Sequence, residues 1–250
     1  LLFNSIFKKI KNKMRLLKKI LKLSRSKLLF SGLLNGIPAN VELEPLIKKI
    51  NEPETIIDIG SNKGQFILLV ENMYPEKKVY SFEPIIELIN KQKKFFKFKK
   101  NIYYYNIALG STVKSDNFLI TKRIDSSSFL EIEKNKNNSD YYNVQEKRNI
   151  KINTLDNILY KKKLTYPILI KIDVQGFELE VLKGSKKILK ATKYILLEVS
   201  KNEMYKKQPT EAKIIYFLKK NNFKILISNK WSKIKNTNFK QRDILFIKKK

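Results

Sequence analysis

Three acids lie where apolar, strand-like runs of this chain break into turns. Asp58 falls within Ile56-Ile57-Asp58-Ile59, Glu83 follows Val79-Tyr80-Ser81-Phe82, and Asp173 follows Ile168-Leu169-Ile170-Lys171-Ile172. Carboxylates at the carboxyl ends of parallel strands border the crevice in which open α/β sheets bind their ligands. There they can hold hydroxyls, attract an ammonium group or accept a proton from a nucleophile. The chain has neither His nor Cys. Imidazole bases, thiol nucleophiles, disulfides and the commonest zinc ligands are therefore excluded; no metal ligands are assigned, the alternative being a divalent metal that orients an acceptor through Asp173 and a neighbouring acid. Any chemistry must come from carboxylates, Lys, Tyr or positioning alone.

The stretch from Asp58 to Phe66, Asp58-Ile59-Gly60-Ser61-Asn62-Lys63-Gly64-Gln65-Phe66, reads as a strand turning into a helix across two glycines. A dinucleotide loop would need a glycine where Asn62 stands, and a P-loop would need Gly-Lys-Ser/Thr where the chain has Lys63-Gly64-Gln65. Phosphate ligands are thereby disfavoured. The pattern suits a ligand with an ammonium, a carboxylate and a ribose: Asp58 would attract the amine, while Asn62 and the helix N-terminus would receive the carboxylate. S-adenosylmethionine carries those groups. A glycine turn in some other α/β protein is the alternative.

Glu83 lies about 20 residues beyond the loop, where an acid at the second strand tip holds ribose hydroxyls. It would equally complement the dipole of the helix that Pro84 starts. After a third strand, Ile102-Tyr103-Tyr104-Tyr105, the small residue Ala108 leaves a slot for an adenine ring, with Asn106 beside its polar edge. Asp173 faces the reacting group as a base or by orienting a hydroxyl, unless it only caps the turn that follows.

Stepping outward to the elements that carry these residues, strands are expected at 168–173, 194–199, 223–227 and 243–247, with helices at 66–72, after Pro84, 154–160, about 178–189 and 210–220. The last two strands have no helix between them and should pair antiparallel. The result is an α/β, Rossmann-like, doubly wound sheet of seven strands, mostly parallel with an antiparallel C-terminal strand. Residues 111–153 interrupt the alternation with two short strands at 117–120 and 149–152, which reads as a substrate-facing flap.

The chain of 250 residues carries 53 Lys+Arg against 23 Asp+Glu, a formal charge of +30. Lysine is spread along the whole length, which reads as compositional bias and not as a nucleic-acid footprint. No acid occurs before Glu42, and Phe3, Ile6, Phe7, Ile10, Met14, Leu17 and Leu21 recur at helical spacing among lysines. A basic amphipathic helical extension over residues 1–40 is expected ahead of a catalytic domain at 41–250. This helix would dock on its own domain or make peripheral contact with an anionic membrane through residues 1–30, or else be a targeting peptide.

Asp58-Ile59-Gly60-Ser61-Asn62-Lys63-Gly64-Gln65-Phe66, Phe82-Glu83-Pro84, Thr154-Leu155-Asp156 and above all Lys171-Ile172-Asp173-Val174-Gln175-Gly176-Phe177-Glu178 together resemble the FkbM-type S-adenosylmethionine-dependent methyltransferases. The resemblance runs from about Thr55 to the C-terminus. It implies a class I methyltransferase fold and O-methylation of small or glycan-linked acceptors, such as a sugar in surface polysaccharide or secondary-metabolite biosynthesis. It also implies that Asp58, Gly60, Asn62 and Glu83 hold the cofactor, and that Asp173, Gln175 and Glu178 lie near the acceptor. Gly64 and Phe66 of the loop, and Asn106 and Ala108 after the third strand, are expected on the cofactor side from the residues alone. Cytoplasmic residence is expected from that cofactor class and the lack of an export signal. A nucleic-acid methyltransferase and a non-enzymatic RNA- or membrane-binding module are the alternatives. Against the first, Asp-Val-Gln-Gly lacks the prolines and aromatic ring usual where base amino groups are methylated; against the second, such a module has no use for acids at two strand tips.

Overall fold

The computed structural model describes residues 14, 17, 20–24, 26–133, 140–234, 237 and 239–249. Eleven strands are present among them: β1 Thr55–Ile59, β2 Lys78–Phe82, β3 Ile102–Tyr105, β4 Ala108–Leu109, β5 Lys114–Thr121, β6 Val144–Asn153, β7 Ile168–Ile172, β8 Tyr194–Ser200, β9 Phe223–Ser228, β10 Ser232–Lys233 and β11 Lys240–Lys248. The helices are α1 Lys27–Leu34, α2 Glu44–Ile47, α3 Gln65–Met73, α4 Ile86–Phe95, α5 Leu155–Leu159, α6 Glu178–Lys183, α7 Lys186–Ala191 and α8 Glu211–Lys220.

The main sheet runs β10-β11-β8-β7-β1-β2-β3, and β9 pairs with β11 beyond the short β10. Strands β3, β2, β1, β7 and β8 are parallel, whereas β11 is antiparallel to β8. Every residue of β1 and β7 is buried, as expected of apolar strands covered on both faces. Alternate side chains divide between two cores. Ile56, Phe66, Leu169 and Leu245 pack on one face; Ile57, Ile59, Ile170, Ile172 and Ile244 pack on the other. The chain leaves β1 to β2 on one side and returns to β7 on the other, so the sheet's reversal point lies between β1 and β7. That is where an α/β sheet opens a crevice.

Three local outcomes differ from the sequence-based expectations. The N-terminal helix is interrupted: residues 20–24 are helical, but Ser26 is extended and its hydroxyl caps α1 by accepting from Leu29 N–H. Leu23, Leu29, Ile37 and Ala39 are buried in the same core as Phe66. The boundary expected near residue 40 is thus a change of composition without a break in packing. The part of that helix over residues 1–13 lies outside the described residues. The helix expected over 178–189 is two helices, α6 and α7, because Gly184 terminates the first and Asp156 caps the second, accepting from Lys187 N–H at 2.8 Å and Ile188 N–H at 2.9 Å. The Thr-Leu-Asp stretch therefore has structural work: Thr154 caps α5 and Asp156 caps α7.

The expected flap strands pair as a small second sheet, β4-β6-β5, with Asn117 opposite Asn149. Ser126, Ser127 and Ser128, polar in sequence, are buried. Ser127 accepts from Thr121 N–H, and the Ser128 hydroxyl donates to the Gln175 carbonyl at 2.7 Å, docking the flap on the turn after β7. Among the described residues, no helix is long and apolar enough to cross a membrane.

Candidate active site

The turn after β1 has backbone in the left-handed region at every second residue: Gly60 (φ 75°), Asn62 (φ 50°) and Gly64 (φ 87°). Glycine enters this region without steric cost, and Asn tolerates it better than most residues. This alternation accounts for the spacing Gly-x-Asn-x-Gly. A side chain at Gly60 would collide with the Asp173 carbonyl, its Cβ falling 1.9 Å away. The loop is fastened from α4, where the Gln92 amide donates to Ser61 Oγ at 2.9 Å and to the Asn62 carbonyl at 2.5 Å. Its Oε1 accepts from Ser81.

Glu83 closes the loop from β2. It is buried, and its two oxygens accept from Asn62 N–H at 2.9 Å and Ile85 N–H at 3.0 Å. Burial pushes its carboxyl up to about 7, and those two N–H donors oppose the shift. Each oxygen retains a lone pair for a ligand hydroxyl.

Asp58, expected to attract the ligand's amine, lies beneath the cavity floor. It is fully buried and does not line the cavity, because its pleat places it in a cross-strand row with Lys171 of β7 and Ser81 of β2. Its cation is the Lys171 ammonium, 3.5 Å away. The same ammonium stands 3.3 Å from Asp173 Oδ2 and 3.3 Å from the Gly60 carbonyl oxygen. Burial disfavours the charged lysine, but Asp173 and Asp58 outweigh it and hold the ammonium above the ordinary lysine range. Burial likewise raises the Asp58 carboxyl.

Beyond β7, Gln175 is a second non-glycine in the left-handed region (φ 54°). Its amide donates to Asp173 Oδ1 at 2.7 Å and lies 3.4 Å from Glu198 Oε2, while its oxygen accepts from the Tyr205 hydroxyl at 2.8 Å. Glu178, expected near the acceptor, instead points back into the turn. Its carboxylate accepts from Gly176 N–H at 3.0 Å and Val174 N–H at 3.3 Å, is buried, and is pushed up to about 7 by that burial.

A cavity of about 290 Å³ opens over the reversal point. Of the expected residues it brings together Gly60, Asn62, Glu83, Ala108, Asp173 and Gln175. Gly64, Phe66, Asn106 and Glu178 are outside its lining: Gly64 precedes α3, Phe66 is in the core, and the Asn106 amide holds the Glu83 and Pro84 carbonyls at 3.0 and 2.8 Å. Among the described residues, Asn62 Oδ1 is buried with no hydrogen-bond partner, so it is free to accept from a donor on a ligand. The apolar wall is made by Ile85, Leu88, Phe118, Ile124 and Phe129. Lys171, Glu198 and Arg123 were not anticipated as site residues. A lone lysine inside Ile-Leu-Ile-Lys-Ile, and an acid near the end of β8, were the available signals. A second cavity of about 380 Å³ adjoins, sharing Asn40, Glu42, Lys171, Asp173, Glu198 and Gln241 with the first.

The family profile of the methyltransferase FkbM domain matches residues 58–225. No curated protein matches the chain by sequence. Among solved structures, M. capricolum TrmK in complex with S-adenosyl-homocysteine is similar at TM-score 0.50 and 10% identity, covering 84% of this chain and 68% of that one. The Streptococcus pneumoniae protein Sp1610, in complex with S-adenosyl-L-methionine, is similar at TM-score 0.50 and 11% identity, covering 85% and 75%. An rRNA methylase from Streptococcus thermophilus is similar at TM-score 0.46 and 10% identity, covering 84% and 95%.

Proposed function

The chain belongs to the FkbM methyltransferase family, and from that premise we propose that it transfers a methyl group from S-adenosylmethionine to a hydroxyl oxygen of a small or glycan-linked acceptor, a sugar foremost. Methyl transfer dependent on S-adenosylmethionine follows from family and fold; the acceptor is our reading. The residues fit the cofactor. Glu83 offers lone pairs to ribose hydroxyls, Asn62 Oδ1 lacks a partner, and the turn at Gly60 keeps side chains out of the crevice. Bound there, the cofactor supplies an electrophilic methyl group on a sulfonium sulfur.

The observation that carries the acceptor class is the charge of the cavity wall. In a chain of net charge +30, the lining carries five acidic side chains, Glu42, Glu83, Asp125, Asp173 and Glu198, against two cations, Arg123 and Lys171. Both cations are already in ion pairs, with Asp125 and with Asp58 and Asp173. Such a wall favours a sulfonium and accepts hydrogen bonds from a neutral polyol, while it repels a phosphodiester backbone. Asp173, held at one oxygen by Gln175 and at the other by Lys171, orients the acceptor hydroxyl; the apolar wall of Phe118, Phe129 and Ile124 excludes water.

The test is transfer of label from methyl-tritiated S-adenosylmethionine to a panel of methyl glycosides, with total RNA as the competing acceptor. Label in a glycoside ether is expected. Saturable labelling of RNA alone would transfer the protein to the nucleic-acid class.

A further inference from the structure

Glu198 stands one residue beyond Leu197, which pairs with Ile172, so β8 delivers its carboxylate beside Asp173. It lines both cavities, where the first meets the second. The two acids are unequally committed. Asp173 has a donor on each oxygen, the Gln175 amide at 2.7 Å and the Lys171 ammonium at 3.3 Å. Glu198 has a single long contact of 3.4 Å to that same amide, and among the described residues no cation lies within ion-pairing distance of it. Asp173 is thus fixed at both oxygens and suited to orienting a hydroxyl. A carboxylate facing a cavity with its lone pairs open is a good proton acceptor.

We propose that Glu198 is the general base of the reaction, taking the proton of the acceptor hydroxyl that Asp173 orients. This rests on the reading of the site as an O-methylating one. As the acceptor oxygen bonds to the methyl carbon, the carbon–sulfur bond breaks with its electron pair returning to sulfur. The hydroxyl proton passes to Glu198 and leaves to solvent after product release. Burial and then the neighbouring carboxylates Asp173, Asp243 and Glu178 raise the Glu198 carboxyl well above the ordinary range, and Lys171 offsets this only in part. The groups facing it are Lys171 and Asp173 from β7 and its turn, Glu178 from α6, Asp243 from β11, Glu42 from the segment before α2 and the Tyr205 hydroxyl. A carboxylate of raised proton affinity is matched to deprotonating a weakly acidic hydroxyl.

Two measurements decide it, and the first needs no acceptor. Proton release on binding S-adenosylmethionine and S-adenosylhomocysteine is measured by calorimetry in buffers of different ionisation enthalpy, from pH 6 to 9. Both ligands carry the ribose, so Glu83 cancels in the difference; only the first brings a sulfonium to Glu198. The wild type should release more protons with S-adenosylmethionine. Glu198→Gln should lose that excess while still binding S-adenosylhomocysteine, and Glu198→Asp should retain it. Equal release by both ligands in the wild type, or an excess that survives Glu198→Gln and disappears in Asp173→Asn, overturns the assignment. In the second, kcat on any glycoside methylated by the wild type should fall about 100-fold or more in Glu198→Gln, with loss of the pH-dependent limb and retained affinity for S-adenosylhomocysteine. Wild-type kcat in that variant also overturns it. If the wild type releases the excess protons yet methylates no glycoside, it is the acceptor reading that fails, while the proton-release comparison still decides the role of Glu198.

Discussion

Glu83 ties cofactor affinity to pH in a way that can be worked from the structure. Its carboxyl titrates at about 7, against an ordinary value of 4.5, because it is buried. The folded chain therefore keeps this proton to higher pH than the unfolded chain does. Its contribution to stability is full below about 4.5 and is lost as pH rises towards 7, a change of about 3 kcal/mol from a shift of about 2.5 units. Ligand binding runs the other way, because ribose hydroxyls donate to the ionised form. If only that form binds, the competent fraction is about one-eleventh at pH 6 and about ten-elevenths at pH 8. Affinity for S-adenosylhomocysteine should then rise about tenfold, about 1.4 kcal/mol, across that interval. S-adenosylhomocysteine is the right ligand because it has no sulfonium charge to act on the other carboxylates. In Glu83→Gln the pH dependence should flatten, and affinity at pH 8 should fall roughly 10- to 100-fold, the worth of one or two hydrogen bonds to a charged acceptor. Titration calorimetry at half-unit steps reads both. A wild-type dissociation constant that stays level from pH 6 to 8, or a slope that survives in Glu83→Gln, refutes the assignment of Glu83 to the ribose.

Lys171→Met leaves the buried Asp58 without its cation and should cost about 3–5 kcal/mol in urea unfolding, with part of the loss recovered by adding Asp58→Asn; a cost under about 1 kcal/mol would mean that the pair carries little. Tyr205→Phe removes the hydroxyl that meets Gln175 Oε1 at 2.8 Å and the Ser126 carbonyl at 3.0 Å. It should cost about 1–2 kcal/mol and speed hydrogen exchange at 126–128 and 174–177; unchanged exchange there would show that the flap is held by other contacts. Met14, Leu17 and Leu21 are exposed in the basic N-terminal segment. We expect weak co-sedimentation with anionic vesicles that drops when all three become Ser, and equal sedimentation of the two proteins would dismiss membrane contact through that helix.

The parts of this molecule that sequence disclosed are those under one dominant constraint. β1 and β7 were readable because burial on both faces leaves mostly apolar, β-branched residues, and the turn at Gly60-Ser61-Asn62-Lys63-Gly64 because left-handed backbone admits few residue types. What stayed hidden was side-chain direction. Asp58 and Glu178 look like ligand acids, yet one is turned under Lys171 by the pleat of β1 and the other into its own turn by two N–H groups. Glu198, outwardly an ordinary strand acid, reaches the cavity because β8 lies beside β7, a neighbour relation that no local pattern contains. The break between α6 and α7 depended on Asp156, about 30 residues away in sequence. The burial of Ser126 to Ser128 has no sequence signal, because burial of hydroxyls is decided by partners such as the Gln175 carbonyl.

The small sheet leaves and rejoins the main fold at a single point. β4 lies alongside the end of β6, and Gly110 N–H donates to the Asn153 carbonyl at 2.9 Å. The described residues between those two, 111–133 and 140–152, belong to an excursion whose ends already touch. A change in its length therefore costs the fold beneath little loop-closure entropy, while the contacts of Ser126, Ser128, Phe118 and Phe129 tie its sequence to that fold. Its two ends stay fixed at Gly110 and Asn153 while Phe118, Arg123, Ile124 and Phe129 within it reach the cavity wall, so a substitution in the small sheet is felt at the site without passing through the strands beneath.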